Sequence, residues 1–167
     1  MEEPTFDVLG FLHEPGRPAS FATLSGRGRP ALAMMWFLVE EDRLWFHTPE
    51  PPGLPAPFVR AAREGMEVAV MVATFNPPTD VRQVRMTGPA RLEERDDARV
   101  RRLYRRYVDG WTPKWERQAT AASYRLWSMS PDRGMAVTYP GLEDGPTFRW
   151  SEPSGLFRLG GLTGQED

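Results

Sequence analysis

Three apolar runs, Ala19–Leu24, Ala31–Val39 and Leu44–His47, follow one another with only two polar interruptions. Strands joined by tight turns have this spacing. The first interruption, Ser25-Gly26-Arg27-Gly28, supplies glycines that take positive φ without steric cost, as a hairpin requires. The second, Glu40-Glu41-Asp42, is too charged to be buried unpaired. The middle run is almost continuously apolar and predicts a single strand covered on both faces. Upstream, Thr5–His13 sets Phe6, Leu9 and Phe11 or Leu12 on one side of a short helix, opened by Pro4 and closed by Pro15-Gly16. That helix is expected to cap one end of a barrel. Downstream, Pro49–Pro57 carries five prolines in nine residues, which blocks helix and interior strand alike and predicts an exposed loop. Phe58–Glu64 then makes about two helical turns before Gly65. Met66–Thr74 reads as a buried strand, Asn76-Pro77-Pro78 as a turn, and Asp80–Arg91 as a strand bent at Gly88-Pro89.

The period then changes. Val100, Leu103, Tyr104, Tyr107 and Val108 form one stripe at 3.6-residue spacing, which predicts a helix over Asp96–Asp109 stopped by Gly110. Thr112-Pro113 begins a second short helix to about Ala119, and Ser123–Met129 and Gly134–Tyr139 complete the strands. Beyond Pro140 only Phe148, Trp150, Leu156, Phe157 and Leu159 stand out as anchors. The prediction is a mainly β fold of six to seven antiparallel strands with peripheral helices, a small barrel or sandwich rather than a βαβ fold. Residues 1–140 are expected to form the domain, and 141–167 a tail, partly mobile or packed on another subunit.

Composition narrows the chemistry. The chain has no cysteine and two histidines, His13 and His47, which excludes disulfides, thiolate nucleophiles and nearly every structural zinc site. A net charge of −2 argues against general nucleic-acid binding. With neither a membrane-length apolar run nor a leader pattern, a soluble cytoplasmic protein with small-molecule partners is expected. No serine sits in a G-x-S-x-G turn, so nucleophilic hydrolysis has no constellation here. No helix follows Gly26 and Gly28, so that turn is not a phosphate cradle. The arginines at 99, 101, 102, 105 and 106 have acidic neighbours and read as a solvated helix face. Trp36, Trp45 and Trp127 are first of all core or interface bulk. More pointed are Arg60 and Arg63 after the proline loop, whose guanidinium forks suit phosphate, and Gln83 between Arg82 and Arg85. His47, at the end of the third run, is the one histidine placed for a site.

In order, the segments ASFATLSGRGRPALAMMWFLVEEDRLWFHT, FVRAAREGMEVAVMV, RQVRMTGPARL and LYRRYVDGW, preceded by a short helix, resemble the pyridoxamine 5′-phosphate oxidase-like FMN-binding split β-barrel superfamily over about Phe11–Gly110. The resemblance implies a homodimer of Greek-key split barrels with cofactor sites at the subunit interface, holding FMN or the deazaflavin coenzyme F-420, and hydride transfer to a small organic substrate. By position, Met34, Met35 and Trp36 would flank the isoalloxazine, His47 and Thr48 would lie near the ring or ribityl chain, Gln83 would contact the cofactor, and Arg60 would meet its phosphate. In such a site the cofactor performs the chemistry, so no separate catalytic side chain or metal is implied. The pattern departs at two places. Pro57-Phe58 stands where relatives carry Arg-Lys, and Ala61 replaces an Asn. The R-L-H-D-R run of true pyridoxamine phosphate oxidases is absent, which disfavours vitamin B6 oxidation. Two alternatives therefore stay open: a cofactor-free barrel serving in binding or interaction, and a haem-handling relative.

Overall fold

The computed structural model describes residues 6–139 and 148–160. Nine strands form one antiparallel system in the order β2-β1-β5-β6-β7-β4-β3, with β8 on β6 and β9 on β8. The strands are β1 (Ala19–Leu24), β2 (Pro30–Met35), β3 (Leu38–Glu40), β4 (Arg43–Pro49), β5 (Glu67–Ala73), β6 (Val81–Leu92), β7 (Tyr124–Met129), β8 (Arg133–Tyr139) and β9 (Phe148–Trp150). The helices α1 (Val8–His13), α2 (Pro57–Glu64), α3 (Asp97–Arg105), α4 (Pro113–Ala119) and α5 (Pro153–Leu159) are peripheral. This is a split barrel, with two more strands than the upper expectation. Among the described residues no helix is long and apolar enough to cross a membrane.

The long strand β6 splits the barrel. One edge pairs with β5 from Pro89 to Gln83, while the other pairs with β8 over Val81–Thr87 and then with β7 over Ala90–Leu92. The change of partner falls at Gly88-Pro89, the predicted bend. A Cβ on Gly88 would lie 1.7 Å from the Ser130 carbonyl oxygen, so only glycine lets the two backbones approach this closely.

The main core, inside the barrel, holds Phe21, Phe37, Phe46, Phe58, Trp127 and Met129 with Phe11 and Leu12 of α1. A second cluster lies outside it, where Trp45 and Leu126 meet Val100, Leu103 and Tyr104 of α3. Leu44 and Phe46 of β4 face the barrel and Trp45 faces α3, so β4 is covered on both faces, as is β7 through Trp127 and Leu126.

The prediction of a single doubly covered strand over Ala31–Val39 is corrected here. Trp36 and Phe37 break the run: β3 is buried, but β2 is the last strand of its sheet and alternates exposed with half-buried positions. Leu32 is 77% and Met34 71% exposed. Tyr107 staples the break, its hydroxyl accepting from the Phe37 N–H at 3.1 Å and donating to the Arg17 carbonyl at 2.9 Å. The charged turn is as expected in place, a two-residue β3–β4 loop with Glu41 at φ 51° and Asp42 at φ 55°.

Three bounds shift. Asp7 caps α1, its carboxylate accepting from the Gly10 N–H at 2.8 Å, and the predicted start at Pro4–Thr5 lies outside the described residues. The α3 helix stops at Arg105, short of the Asp109 expected from the stripe. Within the 141–167 segment, Phe148 and Trp150 of β9 and Leu156 of α5 enter this chain's own core, whereas residues 141–147 and 161–167 lie outside the described residues.

Candidate functional site

The break between β2 and β3, the end of β4 and the start of α2 leave a cleft of about 420 Å³ between them. Met34, Met35 and Trp36 form one wall, His47 and Thr48 a second, and Pro55–Val59 a third, with Tyr104, Gln118 and Tyr124 completing it. Five of the seven residues expected at a site thus converge.

Their side chains are not equivalent. Met35 packs on the barrel core, whereas Met34 is largely exposed. Trp36 belongs to the outer cluster, stacked on Tyr107 with centroids 5.0 Å apart and edge-on to Tyr104 at 5.5 Å. Thr48 is committed structurally: its hydroxyl accepts from Trp127 Nε1 at 3.0 Å. Trp127 is fully buried, and a buried indole N–H needs such a partner.

His47 is the polar centre of the cleft. Its Nδ1 lies 3.0 Å from the Tyr104 hydroxyl and its ring stacks on Tyr124 at 4.9 Å. Burial lowers its pKa from 6.5 to about 4, opposed by the Asp97 carboxylate and assisted by Arg95, so the imidazole is neutral at physiological pH. Burial likewise raises the Tyr104 hydroxyl to about 12. Tyr104, Gln118 and Tyr124 were not among the predicted site residues. Tyr104 sits in the apolar stripe of α3 and reads as core, yet a buried tyrosine needs a partner for its hydroxyl, and that need was the available signal.

Arg60 and Gln83 stand apart from the cleft in the single chain. Arg60 is bidentate to Glu64, with Nε–Oε1 and Nη2–Oε2 both 3.0 Å. Its Nη1 is buried without a partner, beside the Gly26 turn. Arg63 is held by Glu50 at 2.7 Å. Gln83 lies on the sheet and accepts from Arg85 at 2.6 Å. The arginine face is solvated only in part: Arg101 and Arg102 pair with Glu116 and Glu40 and Arg105 is exposed, whereas Arg99 is 12% exposed between Glu40 and the Trp45 ring, and Arg106 is half-buried and donates to the Leu12 and Glu14 carbonyls.

Phe58 borders the cleft without filling it. It is 8% exposed and enters the barrel, edge-on to Phe21 at 6.1 Å. Pro57 is the first residue of α2, Ala56 provides no side-chain cap, and the first-turn N–H groups are left for solvent or a ligand. Among the described residues no cluster of three or more His, Asp or Glu is arranged to hold a metal ion. A broader groove of about 780 Å³ lies on the sheet's outer face, lined by Leu32, Met71, Met135, Trp150, Arg85 and Arg149, among others.

No curated protein matches the sequence. Among solved structures, general stress protein 26 from Bacillus anthracis is similar, at 17% identity over 86% of this chain and 95% of that one, with a TM-score of 0.59. The haem storage protein HutZ from Vibrio cholerae is similar at 14% identity over 78% and 91% (TM-score 0.55). A heme binding protein from Mycobacterium smegmatis is similar at 13% identity over 93% and 61% (TM-score 0.61). At these identities the likeness is one of fold. The family model described as pyridoxamine 5′-phosphate oxidase matches residues 9–137, covering the barrel from α1 into β8, and the chain belongs to that family.

Proposed function

We infer that the protein is a homodimeric oxidoreductase that binds FMN or a deazaflavin in the cleft between β2, β4 and α2 and acts on a small organic substrate. The observation that carries this reading is the convergence of Met34–Trp36 with His47 and Thr48 on one aromatic-walled cleft. Such a cleft suits a flat ring, which apolar walls bury while a few polar groups fix its orientation. The residues fit the ring half of the cofactor well. For the phosphate half they offer the uncapped start of α2 and Arg60, whose buried Nη1 lacks a partner. When bound, a flavin or deazaflavin supplies hydride transfer. The chain's part is to bury the ring, exclude water and present the neutral His47–Tyr104 pair.

Dimerisation has its own support. Leu24, Leu32, Met34 and Met71 expose large apolar side chains on or beside the β2 edge, and an unpaired apolar edge strand calls for a cover. A second copy over this face would also account for Gln83, remote from the cleft of its own chain, as a contact to the neighbouring cofactor.

Two other readings have less behind them. Haem handling is weakened because His47 is wedged between Tyr104 and Tyr124. The cofactor-free reading rests on the missing phosphate grip at Pro57-Phe58; against it, Phe58 packs into the core and leaves the cleft open. The visible spectrum of the purified protein, followed by separate titrations with FMN and a deazaflavin, tests the proposal. Saturable binding of one of them is expected. Absence of binding of either at high micromolar concentration overturns it in favour of a cofactor-free barrel, and a Soret band in favour of haem.

A further inference from the structure

His47 and Tyr124 line two cavities at once. On one side is the cleft; on the other is a smaller pocket of about 200 Å³, bounded by Asp97 and Val100 of α3, Arg95, Ala122 and Arg125. The small pocket is polar at its rim and shares no other residue with the cleft. The His47 ring, stacked on Tyr124, therefore stands between a charged vestibule and an aromatic site, and its Nδ1 is already bonded to the Tyr104 hydroxyl of the cleft at 3.0 Å. The other ring nitrogen has no hydrogen-bond partner among the described residues.

The geometry points to His47 and Tyr104 as a proton-conducting pair that carries protons from water in the Asp97 vestibule into the cleft. This inference rests on the oxidoreductase reading above. Hydride addition to a C=O or polarised C=C bond breaks its π bond and leaves an anion at the far atom. The electron pair comes from the reduced cofactor proposed above, which is oxidised in the same step. One proton must then come from water, and the hydroxide left behind is neutralised by bulk buffer. His47 takes a proton at Nε2 while its Nδ1–H passes to the Tyr104 oxygen, whose own proton completes the substrate. Return of the ring to its starting tautomer between turnovers closes the cycle. The ring stays neutral throughout, in keeping with the burial that disfavours imidazolium at this position. The charged groups around the vestibule side are Asp97, Arg95, Glu93, Asp96 and Arg125.

With two histidines in the chain, ring N–H exchange with water is readable by nitrogen NMR in the protein without cofactor. Ala122→Phe, at an exposed position, fills the vestibule and leaves the cleft untouched. It should slow His47 ring exchange by about tenfold or more without changing cofactor affinity. Asp97→Asn is the second variant and should slow the same exchange in a protein whose first helical turn is otherwise intact. In turnover, Tyr104→Phe should lower kcat by about a hundredfold with KM little changed. Unchanged His47 exchange in folded Ala122→Phe and Asp97→Asn proteins, or unchanged kcat in Tyr104→Phe, overturns the relay. Failure of cofactor binding would instead overturn the oxidoreductase reading and leave the exchange experiment unaffected.

Discussion

His47 Nδ1 and the Tyr104 hydroxyl, 3.0 Å apart, join the barrel strand β4 to the helix α3 packed outside it. The bond lies on the outer face of β4, beside the cluster that holds Trp45 and Tyr104, and places a neutral imidazole at the cleft. Because the folded-state pKa is lowered from 6.5 to about 4, the unfolded chain binds this proton first as pH falls. Stability contributed by neutral His47 is present above about pH 6.5 and is lost as the medium is acidified towards pH 4. Denaturant unfolding at pH 5 should give a stability about 2 kcal/mol below that at pH 7 from this residue. His13, also lowered by burial, titrates in the same sense, so the comparison with His47→Gln isolates the His47 share.

Thr48 illustrates a predicted cofactor neighbour with a structural duty. Thr48→Val keeps the shape and removes the acceptor for the buried Trp127 Nε1–H. The expected cost is about 1 to 3 kcal/mol, read from the shift of the denaturation midpoint at constant slope.

At Gly88 the backbone itself sets the limit. Gly88→Ala drives a methyl group into the Ser130 carbonyl, a backbone atom that cannot swing away. The variant should lose about 3 kcal/mol or fail to accumulate as folded protein, whereas Gly53→Ala in the exposed loop should cost less. Thermal unfolding of the two variants side by side checks this.

The sequence carried much of the barrel and less of the site. The short apolar run of β1, ended by its glycine turn, and the stripe Val100–Leu103–Tyr104 placed their elements because each buries one face. The same reasoning failed at Ala31–Val39. Hydrophobicity cannot distinguish a strand covered by its own chain from an edge strand, and Leu32 and Met34 are exposed in the single chain. The cleft residues of β2–β4 were legible from motif order. Tyr104, Gln118 and Tyr124 were not, because α3, α4 and β7 bring them to the cleft from more than fifty residues away in sequence. Arg60 was legible as a cation, but not its capture by Glu64, one helical turn on.

The exposed edge gives a prediction about assembly. Leu32→Lys with Met34→Lys places two charges on the β2 face without touching either core cluster. Light scattering after size exclusion should show a dimer for the natural sequence and a folded monomer for the double variant. A monomer in both would remove the proposed cover of this edge.

The central claim is that a flavin or deazaflavin ring occupies the cleft beside Met34–Trp36 and His47. Its most direct test is a crystal structure of the protein grown with FMN or the deazaflavin. The account predicts the ring between the residue 34–36 backbone and the His47–Tyr104 wall, with its phosphate towards the start of α2. A ring bound elsewhere, such as in the outer-face groove beside Met71 and Met135, or a cleft without a ring at saturating cofactor, would contradict it.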